Sequence, residues 1–183
     1  MLEATFDFSE IEDYLDTLKE LPEAAIQAAT DTLEWAGETA TQLAGPTLRG
    51  WHHPVDFGHF ISRRGGEQIM YWGVDDQIWS WLDEGTGRYG PRGRPYPIRA
   101  KNAPALLFQL DYVPHTVPGR LPGNIVGGFA RGVWCAKKLV MHPGIRPRGW
   151  APLIMIELIT LLPDVFFDNL ETRIGQALKE RRH

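Results

Sequence analysis

Residues 22–43 read PEAAIQAATDTLEWAGETATQL, and this stretch decides the first half of the fold. Apolar residues recur in it at spacings of three and four, which is the period of one helical face. They are Ile26, Ala29, Leu33, Ala36, Ala40 and Leu43. Because three of these six residues are alanine, the stripe predicts a long helix that a sheet or another helix can approach closely. Pro22 suits its first position, and Gly45-Pro46 predicts its end.

A separate, shorter helix is predicted before Pro22. Ser9 and Glu12 have the spacing of a capping box, in which each side chain binds the backbone amide of the other residue. We expect this helix to run from Ser9 to about Leu21, because a proline breaks a helix interior. Residues 1–45 carry eleven acidic side chains and one basic side chain, so the sequence predicts an acidic helical segment.

Two strands and a short helix are predicted next along the chain. Residues 57–62 and 68–73 have strand patterns, and the Gly-Gly of RRGGE between them predicts a hairpin turn. Residues 75–85 favour a helix with Asp75 as N-cap, Gly85 as its stop, and an apolar face of Ile78, Trp81 and Leu82. The alternative is a strand that has Ile78, Ser80 and Leu82 on one face.

The region 86–152 is rich in loops, since it holds ten glycines and ten prolines. Short strands are predicted within it at YPIRA, ALLFQLDY and GVWCAKKLVM, while residues 85–104 and 109–131 are predicted loops. Residues 86–150 carry eleven bases and one acid, which gives +10 against the −10 of residues 1–45. Opposite charges of this size allow internal neutralisation or head-to-tail pairing of copies. The plain alternative is a solvated acidic helix beside a basic loop region.

Helical pattern returns from residue 151. PLIMIELITLL is apolar nearly all round, which is typical of a helix buried in a core or an interface. We expect no membrane span, because about 11 residues precede Pro163 and a span needs about 20. Pro163 is predicted to begin or kink a last amphipathic helix, with an apolar side of Val165, Phe166, Leu170, Ile174, Ala177 and Leu178.

The elements together predict one α+β domain over residues 1–183. In it a long N-terminal helix and a C-terminal helix pack on one antiparallel β-sheet, and long basic loops rich in glycine and proline project from it.

The sequence predicts neither an enzyme nor a metal or cofactor site. His52, His53 and His59 lack the carboxylate and histidine spacing of a zinc site. Cys135 lies in a strand-like run, which indicates an inert thiol, and a lone cysteine excludes an internal disulfide. Two acidic pairs, Asp75-Asp76 and Asp83-Glu84, lie at helix ends, where caps and solvated charges are the usual roles. Seven tryptophans favour core and interface packing over nucleobase stacking.

Two motifs and the order of the elements give a resemblance. The first motif is Glu84-Gly85-Thr86-Gly87, with the Pro/Arg/Lys stretch to Lys101 and the Leu-Leu-Phe strand at 106–108; the second covers 142–148 and reads HPGIRPR. In these features the chain resembles the tail-completion (head–tail joining) family of long-tailed bacteriophages. It departs from the family pattern at 53–58, which reads HPVDFG, and at Arg148-Gly149-Trp150. Relative to that pattern, residues 109–131 are predicted to be a loop insertion.

This resemblance implies a structural virion protein of the phage neck or tail, made in the cytoplasm of the host bacterium and taking part in viral assembly. Such proteins form homo-oligomeric rings, here with six copies expected, around the DNA channel, through which DNA passes without sequence-specific binding. The implied partners are neighbouring neck proteins, namely a head-completion or stopper protein, a tail terminator or the tail tube, with no membrane. The expected contact residues are Gly85, Thr86, Gly87, Arg88, Arg92, Arg94, Arg99, Lys101, Arg146, Arg148 and Trp150.

The alternative is a nucleic-acid-binding protein that uses the basic region 86–150, since basic stretches attract phosphate. A DNA affinity that falls steeply with salt would favour this alternative, because phosphate binding releases counterions.

Overall fold

The computed structural model describes residues 9–49, 51–52, 54–113, 118–121 and 129–180, with side chains from residue 21 to 179. The chain forms two compact units. The first comprises Met1–Gly37, Phe60–Tyr71 and Ile159–His183, and the second comprises Glu38–His59 and Trp72–Leu158.

As expected, the chain mixes helix and strand, with an N-terminal helix, a small amount of antiparallel sheet and a C-terminal helix. The elements are α1 (Ser9–Ala44), β1 (Phe57–Arg64), β2 (Glu67–Val74), α2 (Gln77–Glu84), β3 (Tyr96–Arg99), β4 (Leu106–Gln109), β5 (Tyr112–Val113), β6 (Phe129–Ala130), β7 (Trp134–Lys137), β8 (Leu139–His142) and α3 (Trp150–Glu180), with short 3-10 turns at Gly45–Leu48 and Gly87–Tyr89.

Helix α1 is one helix, so the predicted break at Pro22 is wrong. Pro22 lies inside the helix, which ends at Ala44, directly before the predicted Gly45-Pro46 stop. A proline removes only its own amide from the hydrogen-bond ladder, and the turns on either side keep theirs. The side chains of the predicted capping box, Ser9 and Glu12, lie outside the described residues.

The buried face of α1 is shifted from the predicted stripe. Ile26 is 47% exposed, whereas the buried positions recur every four residues and are Ala28, Thr32, Ala36, Ala40 and Ala44. Thr32 is tolerated there because its hydroxyl donates to the Ala28 carbonyl (2.7 Å) and accepts from the Asn169 amide of α3 (3.0 Å). A seam made mostly of alanine therefore forms the buried side of the helix.

In the first unit, polar side chains connect α1 to the hairpin and to α3. The Gln68 side chain of β2 donates to the Ile26 carbonyl (2.9 Å) and accepts from the Thr30 hydroxyl (2.9 Å). Arg173 of α3 makes a bidentate ion pair with Asp31, in which Nε donates to Oδ2 (2.6 Å) and Nη2 donates to Oδ1 (2.8 Å). This hydrogen bond to Asp31 raises the pKa of Arg173 above its usual value.

The predicted β1–β2 hairpin is confirmed. Gly65 and Gly66 form its two-residue turn with φ of +60° and +85°, a conformation that glycine adopts without steric cost.

In the second unit, an aromatic cluster surrounds α2. Trp79 is buried, meets the rings of Phe57 and Trp72 edge-on and lies 5.9 Å from the ring of Trp150. Its indole N–H donates to the Thr47 hydroxyl (2.9 Å). The predicted face of Ile78, Trp81 and Leu82 is therefore wrong, because the buried side chains of α2 are Trp79 and Asp83.

The caps of α2 lie close to the predicted positions. Asp76, one residue after the predicted Asp75, accepts from the Trp79 amide (2.7 Å) and serves as N-cap. Gly85 ends the helix as predicted, with φ of +80°.

The remaining strands pair two by two rather than in one sheet. The pairs β3–β8, β4–β7 and β5–β6 are all antiparallel and are nested along the chain. We call residues 96–142 the ribbon. Its β5–β6 pair lies within 109–131, so the described part of the predicted loop insertion contains strand. Between β4–β7 and β5–β6, the two residues 110–111 lie opposite the three residues 131–133, which is a one-residue β-bulge in the segment between β6 and β7. A Cβ on Gly132 would lie 2.7 Å from the Leu110 side chain.

Helix α3 runs through Pro163, so the predicted start of a new helix there is wrong, while the alternative of a kink at Pro163 stays a prediction. By length and composition α3 is apolar and long enough to cross a membrane, and 17% of its most apolar window is buried. The 11-residue limit that argued against a span is therefore wrong, and the absence of a membrane partner stays a prediction. In PLIMIELITLL only Ile154 and Leu158 are buried, whereas Ile156 and Ile159 are exposed.

Candidate functional site

The two motifs behind the family resemblance meet in space. Residues 82–89 and 143–149 lie side by side, and we call this pair of segments the clasp. The Thr86 amide donates to the Ile145 carbonyl (2.9 Å), and the Ile145 amide donates to the Thr86 hydroxyl (2.9 Å). The Arg88 amide donates to the Pro143 carbonyl (2.8 Å). The clasp thus joins residues that are almost sixty positions apart in the sequence.

Glycines allow the two clasp segments to approach. Gly85, Gly87 and Gly144 all have positive φ. A Cβ on Gly85 would lie 2.8 Å from the Ile145 carbonyl oxygen, and one on Gly144 would collide with the Thr86 carbonyl. Gly85 and Gly87, predicted as contact residues, are buried here, so their visible role is to let the clasp close.

The clasp also starts helix α3. The Arg148 amide donates to the Leu82 carbonyl (2.8 Å), and the Gly149 amide donates to the Asp83 carbonyl (3.1 Å). The buried Asp83 carboxylate accepts from the amides of Trp150 and Ala151, the second at 3.1 Å. Asp83 is therefore the cap of a helix that begins 67 residues later, which agrees with the predicted capping role of the acidic pairs.

Two predicted contact residues are not on the surface. Arg148 is 6% exposed and Trp150 is 1% exposed. Within the described chain, Arg148 Nε and Trp150 Nε1 are buried without a hydrogen-bond partner. Burial lowers the pKa of the Arg148 guanidinium from its usual value. The predicted role of both side chains as surface contacts is therefore wrong, because the clasp places them at the start of α3.

The other basic contact candidates are exposed. These are Arg88, Arg92, Arg94, Arg99, Lys101 and Arg146. Arg92 lines a cavity of about 550 Å³ with Trp81, Tyr96 and Ile98, and half-buried Thr86 lines it too. The Arg146 guanidinium lies over the ring of Tyr89, 5.5 Å from its centre. We call these six basic side chains the basic rim of the clasp. Because they are exposed, they are available to an acidic partner.

Sequence reasoning missed an apolar patch on the ribbon. Leu107, Val133 and Trp134 are 70%, 74% and 63% exposed. Leu107 pairs with Ala136, and Trp134 pairs with Gln109, so Leu107 and Trp134 share one face of β4–β7. Three exposed bases, Arg131, Lys137 and Lys138, lie beside these residues in the sequence. We call this set the ribbon patch. The alternation of apolar and other residues in ALLFQ and GVWCAKK is the sequence signal by which the patch could have been found.

A groove in the first unit was also missed. It has a volume of about 630 Å³ and is lined by Ala25, Ile26, Ala29, Thr32, Leu33, Gly66, Gln68, Leu162, Pro163, Phe166 and Phe167. Phe167 is 64% exposed. Asp164, Asp168 and Glu171 are exposed and follow one another along α3 at spacings of four and three, so they form a stripe on one side of the helix. We call the lining and this stripe the acidic groove.

The two units carry opposite net charge. The first unit has fifteen acidic and seven basic side chains, which gives −8, and the second has eight acidic and twelve basic side chains, which gives +4. The acidic groove therefore belongs to the negative unit and the ribbon patch to the positive unit.

The described residues contain no group of three or more His, Cys, Asp or Glu side chains arranged to hold a metal ion. Cys135 is a free, half-buried cysteine on β7; His52 is exposed, and His53 lies outside the described residues. The resemblance to tail-completion proteins stays a prediction from the sequence, which depends on the element order and on the two motifs that form the clasp. Comparison of the chain with family models, with curated proteins and with solved structures finds no match.

Proposed function

We propose that the chain is a structural virion protein of a long-tailed bacteriophage that forms a ring in the neck or tail and joins the head to the tail. The observation that carries the proposal is the exposure of large apolar side chains on two surfaces of opposite charge, the ribbon patch and the acidic groove. Monomeric proteins rarely leave contiguous apolar patches exposed, and such patches mark interaction sites.

Two different complementary surfaces on one chain favour a closed ring. A contact between unlike surfaces repeats from copy to copy, and it closes when the rotation between copies divides a full turn. We expect six copies around the DNA channel, with head-completion, tail-terminator or tail-tube proteins above and below. Exposed ion pairs contribute little individually and are screened by salt, so the ring should loosen as salt rises.

The basic rim of the clasp is the proposed contact with the neighbouring layer. Arg88, Arg92 and Arg94 are exposed, and guanidinium groups bind carboxylates through paired hydrogen bonds. The Arg94 amide donates to the Gly87 carbonyl of the clasp (3.1 Å), and this bond restrains the backbone of the rim, which lowers the conformational entropy that docking would cost.

The test is assembly in a phage that encodes the chain. We expect Arg92→Glu with Arg94→Glu to give folded protein but heads and tails that remain separate in electron micrographs. Arg49→Glu with Lys179→Glu changes the net charge equally at exposed positions and should leave joining intact. Normal yields of infectious particles from the first variant would contradict the role of the rim. An isolated single copy per particle, by mass measurement, would contradict the ring.

DNA binding is the second candidate, and the exposed bases of the region 86–150 are the observation that favours it. Purified protein that binds duplex DNA with micromolar or tighter affinity, lost steeply between 50 and 200 mM salt, would support it. We expect weak binding instead, because only the second unit is positive and its net charge is +4.

A further inference from the structure

We infer that the ribbon patch of one copy docks in the acidic groove of a second copy. This inference rests on the proposed function, because it supplies the contact between neighbouring subunits of the ring. Its first support is that a two-stranded ribbon is marginally stable by itself in water and needs another surface against its apolar face. The described residues leave Leu107, Val133 and Trp134 mostly exposed.

The groove has the chemistry that this face needs. Ile26 and Phe167 are exposed in its lining, and the remaining lining is largely apolar or small, so it can bury the indole of Trp134 and the side chain of Leu107. Burial of apolar surface supplies affinity, and large aromatic side chains such as Trp134 commonly anchor interfaces.

Charge selects the pairing. The ribbon, residues 96–142, has six basic side chains and one acidic side chain, and the exposed bases Arg131 and Lys138 lie beside its patch in the sequence. The groove lies in a unit of charge −8, beside Asp164 and Asp168. Two ribbons would repel each other, as would two grooves, so the contact joins unlike surfaces of successive copies.

A membrane is the other surface that could cover the exposed face of α3. The acidic stripe argues against it, because Asp164, Asp168 and Glu171 would face the negative surface potential of anionic lipids. A second copy offers lysine and arginine at the same place, so we choose the second copy as the occupant.

Disulfide trapping tests the contact directly. In a full-length chain with Cys135→Ser, we introduce Leu107→Cys and Phe167→Cys and oxidise the protein. We expect a ladder of intermolecular disulfide-linked species on a non-reducing gel. The matched control is Leu107→Cys with Phe60→Cys, since Phe60 is as exposed as Phe167 but lies on the hairpin, and this pair should give no ladder.

A charge exchange gives a second, independent readout. Arg131→Glu with Lys138→Glu, and separately Asp164→Lys with Asp168→Lys, should each reduce oligomer formation at least tenfold by native mass measurement. Mixing the two variants should restore oligomers, because each altered surface then meets its altered complement in an alternating ring.

The outcomes separate this inference from the proposed function. Rings in the particle without a ladder would overturn the ribbon-to-groove contact and leave the ring in place. A ladder without rings would support the contact and contradict the ring. Co-flotation of the unmodified chain with phosphatidylcholine–phosphatidylglycerol vesicles, in place of a ladder, would assign the face of α3 to a membrane and overturn the inference.

Discussion

Replacing Asp83 by alanine should destabilise the chain more than any other single loss of a carboxylate on α2. The Asp83 carboxylate is buried and accepts from the amides of Trp150 and Ala151. Loss of an N-cap costs about 1 kcal/mol, and a buried amide left unpaired costs about 1–3 kcal/mol. Because these terms overlap, we expect a loss of about 3 kcal/mol in the free energy of unfolding, which lowers the melting temperature by roughly 6–12 °C for a chain of this length.

Urea unfolding of three variants measures the effect. Asp83→Asn keeps an acceptor oxygen and loses only the favourable charge at the helix N-terminus, so about 1 kcal/mol should be lost. Asp75→Ala removes an exposed carboxylate near the same helix and should change stability by less than about 0.5 kcal/mol. If Asp83→Ala were no worse than Asp75→Ala, the cap that joins α2 to α3 would not hold the fold together as described.

Three further changes test the clasp and the predicted absence of a metal. Gly144→Ala should lower the urea midpoint of unfolding strongly, because φ at Gly144 is +110° and the Thr86 carbonyl leaves no room for a Cβ. Gly58→Ala is the control and should not lower it, because a Cβ there would meet open space. Arg148→Met should leave the isolated chain equally stable or up to about 1 kcal/mol more stable, because it removes a buried cation that no described carboxylate pairs; a clear loss would refute this. The variants His52→Ala and Cys135→Ala should still assemble. Stoichiometric zinc in the purified protein that is lost in His52→Ala would show that a metal site is present.

Local signals in the sequence predicted local structure well. The Gly65-Gly66 turn, the Gly85 stop of α2 and the end of α1 near Gly45 each depend on backbone preferences of a few neighbouring residues. The break predicted at Pro22 and the new helix start allowed at Pro163 are wrong for one reason. A proline makes a helix end probable, but the hydrogen bonds and packing of the turns around it decide the outcome.

Long-range features were beyond the sequence patterns. Nothing in the spacing of Thr86 and Ile145 shows that the amide and hydroxyl of Thr86 bond the backbone of Ile145, so the two motifs were identified but not placed together. The burial of Arg148 follows from that pairing and was missed with it. Strand alternation likewise does not name a partner strand, which is why the nested pairs of the ribbon were predicted as part of one sheet.

The nested pairing of the ribbon has a consequence for how the chain folds. Thr86 and Ile145 are 59 positions apart, so closing the clasp from an open chain means closing a long loop. Once Tyr96 is paired with His142, about 11 residues of unpaired chain separate Thr86 from Ile145, and the closure costs roughly 1.5 kcal/mol less. Pairing of the ribbon and closure of the clasp are thus cooperative steps, and changes in the ribbon that slow its zipping should slow the docking of α3 as well.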